Sequence, residues 1–204
     1  GKFIALEDEY DTIDKIKNVF IVRDEFNNKF LVFENIDQFI KYSSSKKEEE
    51  RCFHEVIFSQ QLQKIRFDID IEKEKIDEFL KNNNINNNVG QFSIYVINEL
   101  CCVIDEVFNL FYGDTPTILL TTSHGEKKFS FHIIIDKFVC ENNFEADCFL
   151  KNTIKRLPLN VIKSQCIDIG VCKRTQNFRI LGSQKPNSGR VKRAVYYGNI
   201  KDNF

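Results

Sequence analysis

Apolar positions recur with period two in some stretches of this chain and with period three to four in others. Period two marks a strand with one buried face, and period 3.6 marks an amphipathic helix. Val19–Val22 and Lys29–Phe33 predict a hairpin with Asn27-Asn28 near its turn. Asn35–Tyr42 predicts a short helix and Ser43–Glu50 a charged loop. Phe53–Ser59 and Lys64–Ile71 predict strands joined by Gln60-Gln61-Leu62-Gln63, and Lys73–Leu80 a helical turn. Phe92, Val96, Leu100, Val103, Val107 and Leu110 recur at helical spacing, so Phe92–Phe111 predicts the clearest helix, with Gly113 as its stop. Thr117–Thr122 and Lys128–Asp136 predict a second hairpin across Ser123-His124-Gly125-Glu126. Asn143–Arg156 predicts a helix ended before Pro158, and Ile167–Val171, Phe178–Leu181 and Val191–Tyr197 predict the last strands. Antiparallel hairpins mixed with helices make the fold class α+β, not a doubly wound sheet.

Length and composition narrow the class. The 204 residues suffice for one domain of two lobes, with an Asn-rich surface loop at Asn82–Asn88. Apolar residues make up 42% of the chain and Phe alone supplies 20 residues, which excludes a wholly disordered protein. No apolar run approaches the ~20 residues that span a bilayer, so no membrane partner is expected. The absence of a secretory segment, with Gly1 in place of Met, suggests a fragment of a longer intracellular protein. The seven Cys form no C-x-x-C pair and read as reduced thiols, not as a zinc site or a disulfide framework.

The net charge of −1 hides an asymmetry. Residues 1–80 carry 13 Lys/Arg against 19 Asp/Glu, whereas residues 163–201 carry 9 Lys/Arg and one acid, Asp168. A basic segment around one carboxylate suits a polyanion brought to a metal. A solvated basic loop is the plainer explanation.

Three stretches carry chemistry. In Arg66-Phe67-Asp68-Ile69-Asp70-Ile71, alternation points both carboxylates one way. Paired carboxylates repel unless a cation lies between them, and Mg²⁺ or Mn²⁺ prefers oxygen ligands. Asp68 and Asp70 alone would equally suit a strand facing solvent. Asp168, between Ile167 and Ile169, is the candidate third ligand, and the three carboxylates should converge within metal-ligand reach. In Lys128-Phe129-Ser130-Phe131-His132-Ile133 the polar residues share one face and form a donor row suited to a triphosphate. Arg174, Asn177, Arg179 and Lys185 follow Asp168 and would hold phosphates.

In this order and spacing the chain resembles the archaeo-eukaryotic primase superfamily, closest to its primase-polymerase branch and giant-virus members. The resemblance rests on Cys52-Phe53-His54-Glu55-Val56-Ile57 leading into Phe67-Asp68-Ile69-Asp70, on Lys128-Phe129-Ser130-Phe131-His132, and on Asp168-Ile169-Gly170-Val171 through Asn177-Phe178-Arg179 to Lys185. It covers residues 19–197. It implies a primase catalytic core with an RRM-like lobe packed on an N-terminal α/β unit. Asp68, Asp70 and Asp168 would bind two divalent ions. Lys128, Ser130, His132, Asn177, Arg179, Lys185 and His54 would bind the incoming nucleotide. Lys29, Arg66 and Arg174 would be lesser contacts to nucleic acid or phosphate. His54 stands where close members tend to carry Tyr beside the incoming sugar.

The implied activity is that of a DNA primase, and of a DNA polymerase as well, using two-metal nucleotidyl transfer. Its partners would be a single-stranded DNA template, nucleoside triphosphates and a helicase domain in the same longer chain. The Asn-, Lys- and Phe-rich composition suits an AT-rich viral genome, and hence action in a viral factory or a host nucleus. Two other classes stay open: a catalytically silent accessory primase domain, which tends to lose acidic ligands, and a metal-dependent nuclease, which needs no triphosphate row.

Overall fold

The computed structural model describes residues 19–202. They form a mixed α+β fold with two four-stranded antiparallel sheets and five α-helices. The described residues divide into two compact units, one of residues 19–63, 141–143 and 172–192, the other of residues 64–140, 144–171 and 193–202.

The first unit holds β1 (Phe20–Asp24), β2 (Lys29–Phe33), α1 (Ile36–Ser44), β3 (Phe53–Phe58) and, from late in the chain, β7 (Thr175–Arg179), in the order β2-β1-β3-β7. The expected first hairpin closes where Asn28 adopts φ 49°, a left-handed geometry that Asn tolerates. Buried Asp24 stabilises that turn, accepting from the Asn27 backbone N–H at 3.1 Å and from its side-chain amide at 2.8 Å. Asn35 caps α1 by accepting from the Gln38 N–H at 3.0 Å. Helix α1 runs through Ser44, so the predicted loop at Ser43–Glu50 is partly helical, with a 3₁₀ turn at Glu48–Glu50. Phe39 packs edge-on against Phe53 beside Val22 and closes the apolar face of this sheet.

The second unit holds β4 (Arg66–Glu72), α2 (Lys73–Asn82), α3 (Val89–Tyr112), β5 (Thr117–Thr122), β6 (Lys128–Asp136), α4 (Asn143–Arg156), α5 (Leu159–Ser164) and β8 (Arg193–Asn199). Its sheet order is β4-β6-β5-β8. β3 and β4 follow one another in sequence yet belong to different sheets. Helix α3 begins in a capping box in which Asn88 and Gln91 exchange side-chain-to-backbone bonds, and it stops at Gly113, whose φ of 68° favours glycine. The Asn-rich segment is thus short between its caps, with Asn82 ending α2 and Asn88 starting α3. α3 buries Phe92, Val96, Leu100, Val103 and Val107, but Leu110 is exposed. The sheet buries Phe67, Ile69, Ile71, Ile118, Ile133 and Ile135. Each such side chain contributes about 1.5–3 kcal/mol on leaving water, so one face of β4 and β6 is committed to the core and the other is left for polar groups. The seven cysteines are free thiols. Burial pushes that of Cys101 up to about 12. No helix among the described residues is long and apolar enough to cross a membrane.

At the end of β6, Asp136 accepts from the Lys64 ammonium and, at 2.7 Å, from the Tyr197 hydroxyl. These donors hold its carboxyl down at about 2. A carboxyl lowered on folding stabilises the fold above its unfolded pKa, and that contribution fades as pH falls toward the folded value. Asp136→Asn is therefore expected to cost about 0.5–1 kcal/mol at pH 7 for this partly exposed pair. The difference should shrink steadily between pH 4 and 2, as thermal unfolding of both proteins across that range would show.

Candidate active site

β4 and β6 pair antiparallel with Asp68 opposite His132, Asp70 opposite Ser130 and Glu72 opposite Lys128. Opposed residues share a sheet face. Two carboxylates and the donor row Lys128, Ser130 and His132 therefore lie side by side on one face, while Ile69, Ile71, Phe129 and Phe131 take the other. His132 Nε2 lies 3.3 Å from Asp68 Oδ1. Lys128 reaches diagonally, Nζ to Asp70 Oδ2 at 2.6 Å. The remaining oxygen, Asp70 Oδ1, is buried and has no hydrogen-bond partner. The Ser130 backbone N–H donates to His124 Nδ1 at 3.2 Å, and the His124 ring stands edge-on to Phe129 and Phe131, which secures the hairpin under this row.

The strand expected at Ile167–Val171 is not formed. Ile167 alone bridges to Ile69. On either side of that bridge the Asp70 N–H donates to the Cys166 carbonyl at 2.8 Å and the Asp168 N–H to the Asp68 carbonyl at 2.9 Å. Pairing ends there because Asp168 Oδ1 accepts from the Gly170 N–H at 2.7 Å, a local bond that turns the chain. Ile169 is left 67% exposed. The register still sets Asp168 opposite Asp68, on the free side of β4.

Asp68, Asp70 and Asp168 are neighbours by register, but the expected convergence is not reached. Among the described residues no three His, Cys, Asp or Glu side chains are gathered to hold a metal ion. Neighbouring carboxylates repel, and these have separate neighbours: Asp70 accepts from Lys128, Asp168 accepts from the Gly170 N–H, and Asp68 Oδ1 lies 3.3 Å from His132 Nε2. The donor set itself suits a hard divalent cation, with three carboxylates on adjacent backbone segments and an unbonded buried oxygen on Asp70.

The other candidates lie in the first unit. His54 on β3 is opposite Arg179 of β7 on one side and Arg23 of β1 on the other. Its Nδ1 is 3.9 Å from the Glu25 carboxylate. Asn177 is opposite Val56, with its side-chain oxygen buried and unbonded. Arg174 precedes β7 and ties its carbonyl to the Ser59 N–H at 2.7 Å, and its side chain is exposed, as are those of Lys29 and Lys185. In the second unit Arg66 is buried and donates to the Lys64 carbonyl at 3.1 Å.

Comparison with known proteins gives this arrangement a context. The chain is 39% identical over 196 residues to the helicase/primase complex protein of African swine fever virus, isolate Pig/Kenya, and 39% identical over 206 residues to that of the Vero-adapted Badajoz strain. A Tick/Malawi isolate matches at 38% over 200 residues. Each match takes in 92% of this chain. The relatives are viral, and primase-related by name. The chain spans under a fifth of their length, 18% in the Pig/Kenya protein and 19% in the Badajoz one. No family model matches the chain.

Two residues absent from the sequence reading join these rows. Thr121 of β5 is opposite His132, extends the row Asp68–His132, and is 2% exposed with its hydroxyl unbonded. Counting back from the predicted Ser123–Glu126 turn would have found it. Arg23 joins His54 and Arg179 only through the β1–β3 pairing, for which no local signal exists.

Proposed function

We propose that this chain is the catalytic core of a DNA primase with polymerase activity, acting in replication of a viral genome. The observation that carries the reading is the pairing of β4 with β6, which sets Asp68 and Asp70 beside His132, Ser130 and Lys128. Acidic ligands next to a cationic and hydroxylic row suit metal-bound triphosphate. A nuclease needs the acids without the row, and a silent accessory domain needs neither. The similarity to viral helicase/primase complex proteins supports a replication role. The superfamily core with its RRM-like lobe is part of the same reading.

In this mechanism Asp68, Asp70 and Asp168 would hold two Mg²⁺ or Mn²⁺ ions. Bound there, such ions would lower the pKa of the attacking 3′-hydroxyl and would neutralise charge on the α-phosphate and the leaving pyrophosphate. Lys128 and the Ser130 hydroxyl donate to the phosphates of the incoming nucleotide. His132 is oriented by Asp68 and donates from the same row. Arg179, Lys185 and Asn177 add contacts to the nucleotide, and Lys29, Arg66 and Arg174 to nucleic acid or phosphate. A single-stranded DNA template selects the nucleotide, and a helicase segment of a longer protein supplies that template. Incubation with template, Mg²⁺ or Mn²⁺ and labelled nucleotides separates the classes: a primase lengthens products, a nuclease shortens them, and a silent domain leaves them unchanged.

Sugar choice is assigned to His54. A ring smaller than tyrosine leaves room for a ribose 2′-hydroxyl. His54→Tyr should raise discrimination against ribonucleotides by about tenfold or more, read as the ratio of kcat/KM values for the two sugars. Equal ratios in both proteins would remove His54 from that role.

A further inference from the structure

We propose, resting on the nucleotidyl-transfer reading above, that a cavity beside the carboxylate row seats the nucleoside that brings the attacking 3′-hydroxyl. The cavity is about 620 Å³ and lies wholly in the second unit. Ile154, Leu157, Val161 and Ile162, from α4 through α5, form its aliphatic wall, and Asp70 and Asp168 line it as well.

β4 has a different neighbour on each side. On one side β6 offers Lys128, Ser130 and His132. On the other the Ile69–Ile167 bridge sets Asp168 opposite Asp68, and the cavity is lined by the segment that makes this bridge. A transfer between two substrates needs both to meet at the carboxylates. The triphosphate, a polyanion, belongs with the cationic and hydroxylic donors of β6. The cavity is chemically the opposite. Its charged lining is Asp70, Glu72, Asp168 and Lys75; with Asp70 and Asp168 committed to the ions, Glu72 and Lys75 balance each other, a wall with no row of phosphate donors that tolerates an uncharged base and sugar. Its volume falls within the range that encloses small organic ligands. The lining has neither an aromatic ring nor a guanidinium, and its uncharged polar side chains, Ser164 and Gln165, stand together at the C-terminal end of α5. Aliphatic walls accept the face of any base, which suits a growing strand whose terminal base changes at every step.

Ile162 and Ile169 both line the cavity and are 38% and 67% exposed, so either can be replaced without opening the core. In the full chain, Ile162→Glu and, as a milder change, Ile169→Ser should each raise KM for the primer about tenfold, the loss of roughly one apolar contact. KM for the incoming triphosphate should stay as in the wild type. An oligonucleotide ending in 4-thiothymidine should photo-crosslink within residues 154–169, a readout that needs no turnover. An unchanged primer KM in both variants, a rise in the triphosphate KM instead, or a crosslink elsewhere would overturn the cavity assignment while leaving the activity standing. A folded wild-type protein that lengthens no product with either metal would overturn the nucleotidyl-transfer reading, and the assignment with it.

Discussion

Asp70→Ala is expected to abolish dinucleotide synthesis and primer extension while leaving the fold intact. The Asp70 side chain is 43% exposed, so its removal opens no cavity in the core. It unpairs Lys128, a partly exposed cation whose pairing is worth at most about 1 kcal/mol. In the proposed mechanism its catalytic share would be far larger. Asp70 stands next to Asp68 on its face of β4 and opposite Ser130 of β6, is paired diagonally with Lys128, and holds a buried oxygen with no hydrogen bond. Losing one anchor of the charge stabilisation in a two-metal transfer forfeits several kcal/mol, a fall of at least about a thousandfold in kcat. Asp77→Ala is the control, because Asp77 only pairs with Lys81 on the outer surface of α2. The measurement is product formation on a template alongside thermal unfolding. Activity within tenfold of wild type would remove Asp70 from the metal site. Lost activity with lost folding in Asp70→Ala would be resolved by Asp70→Asn, which keeps the volume and removes the charge.

What was legible in the sequence was local. The hairpin of β5 and β6, the strand β4 and the long helix α3 each carry their periodicity and their stop signals within a few residues, and their bounds fell close to expectation. That Asp68 faces with Asp70, and Ser130 with His132, followed from alternation; that the two pairs share one face comes from the β4–β6 pairing. What failed was non-local or was decided by one competing bond. Ile167-Asp168-Ile169-Gly170-Val171 alternates like a strand, but the Asp168 side chain bonds to the Gly170 backbone and ends pairing after a single bridge. The β7 strand lies at Thr175–Arg179, upstream of the expected Phe178–Leu181, because pairing with β3 and not local hydrophobicity sets its register. Leu110 fits the apolar stripe of α3 and is nevertheless exposed, since it stands in the last turn of the helix. The assignment of β3 and β4 to separate sheets depends on partners distant in the chain and had no sequence signal.

Lys128→Met is expected to move two affinities in opposite directions. The Lys128 ammonium lies 2.6 Å from Asp70 Oδ2, so it holds a position that a divalent cation bound by Asp70 would contest. In the strand register Lys128 is opposite Glu72, two residues beyond Asp70, so its pairing with Asp70 is a diagonal reach and not the default of the sheet. A side chain that reaches one way can release and reach the other. Metal arriving at Asp70 would displace the ammonium toward the phosphates that the same row is suited to bind. Methionine keeps the stem of the side chain and deletes the charge. Mn²⁺ binding, followed by the electron paramagnetic resonance of free Mn²⁺, should then tighten about three- to tenfold as the competing cation disappears. Binding of a non-hydrolysable nucleoside triphosphate should weaken about ten- to a hundredfold, the worth of one charge-assisted hydrogen bond. A general loosening of the strand pair would weaken both. A surface lysine with no part in the site would change neither. Only opposed shifts fit a lysine that exchanges Asp70 for phosphate, and such a lysine couples the two ligands: metal must bind before the triphosphate gains its full set of donors, so the apparent triphosphate affinity of the wild type should rise with Mn²⁺ concentration and that of Lys128→Met should rise less.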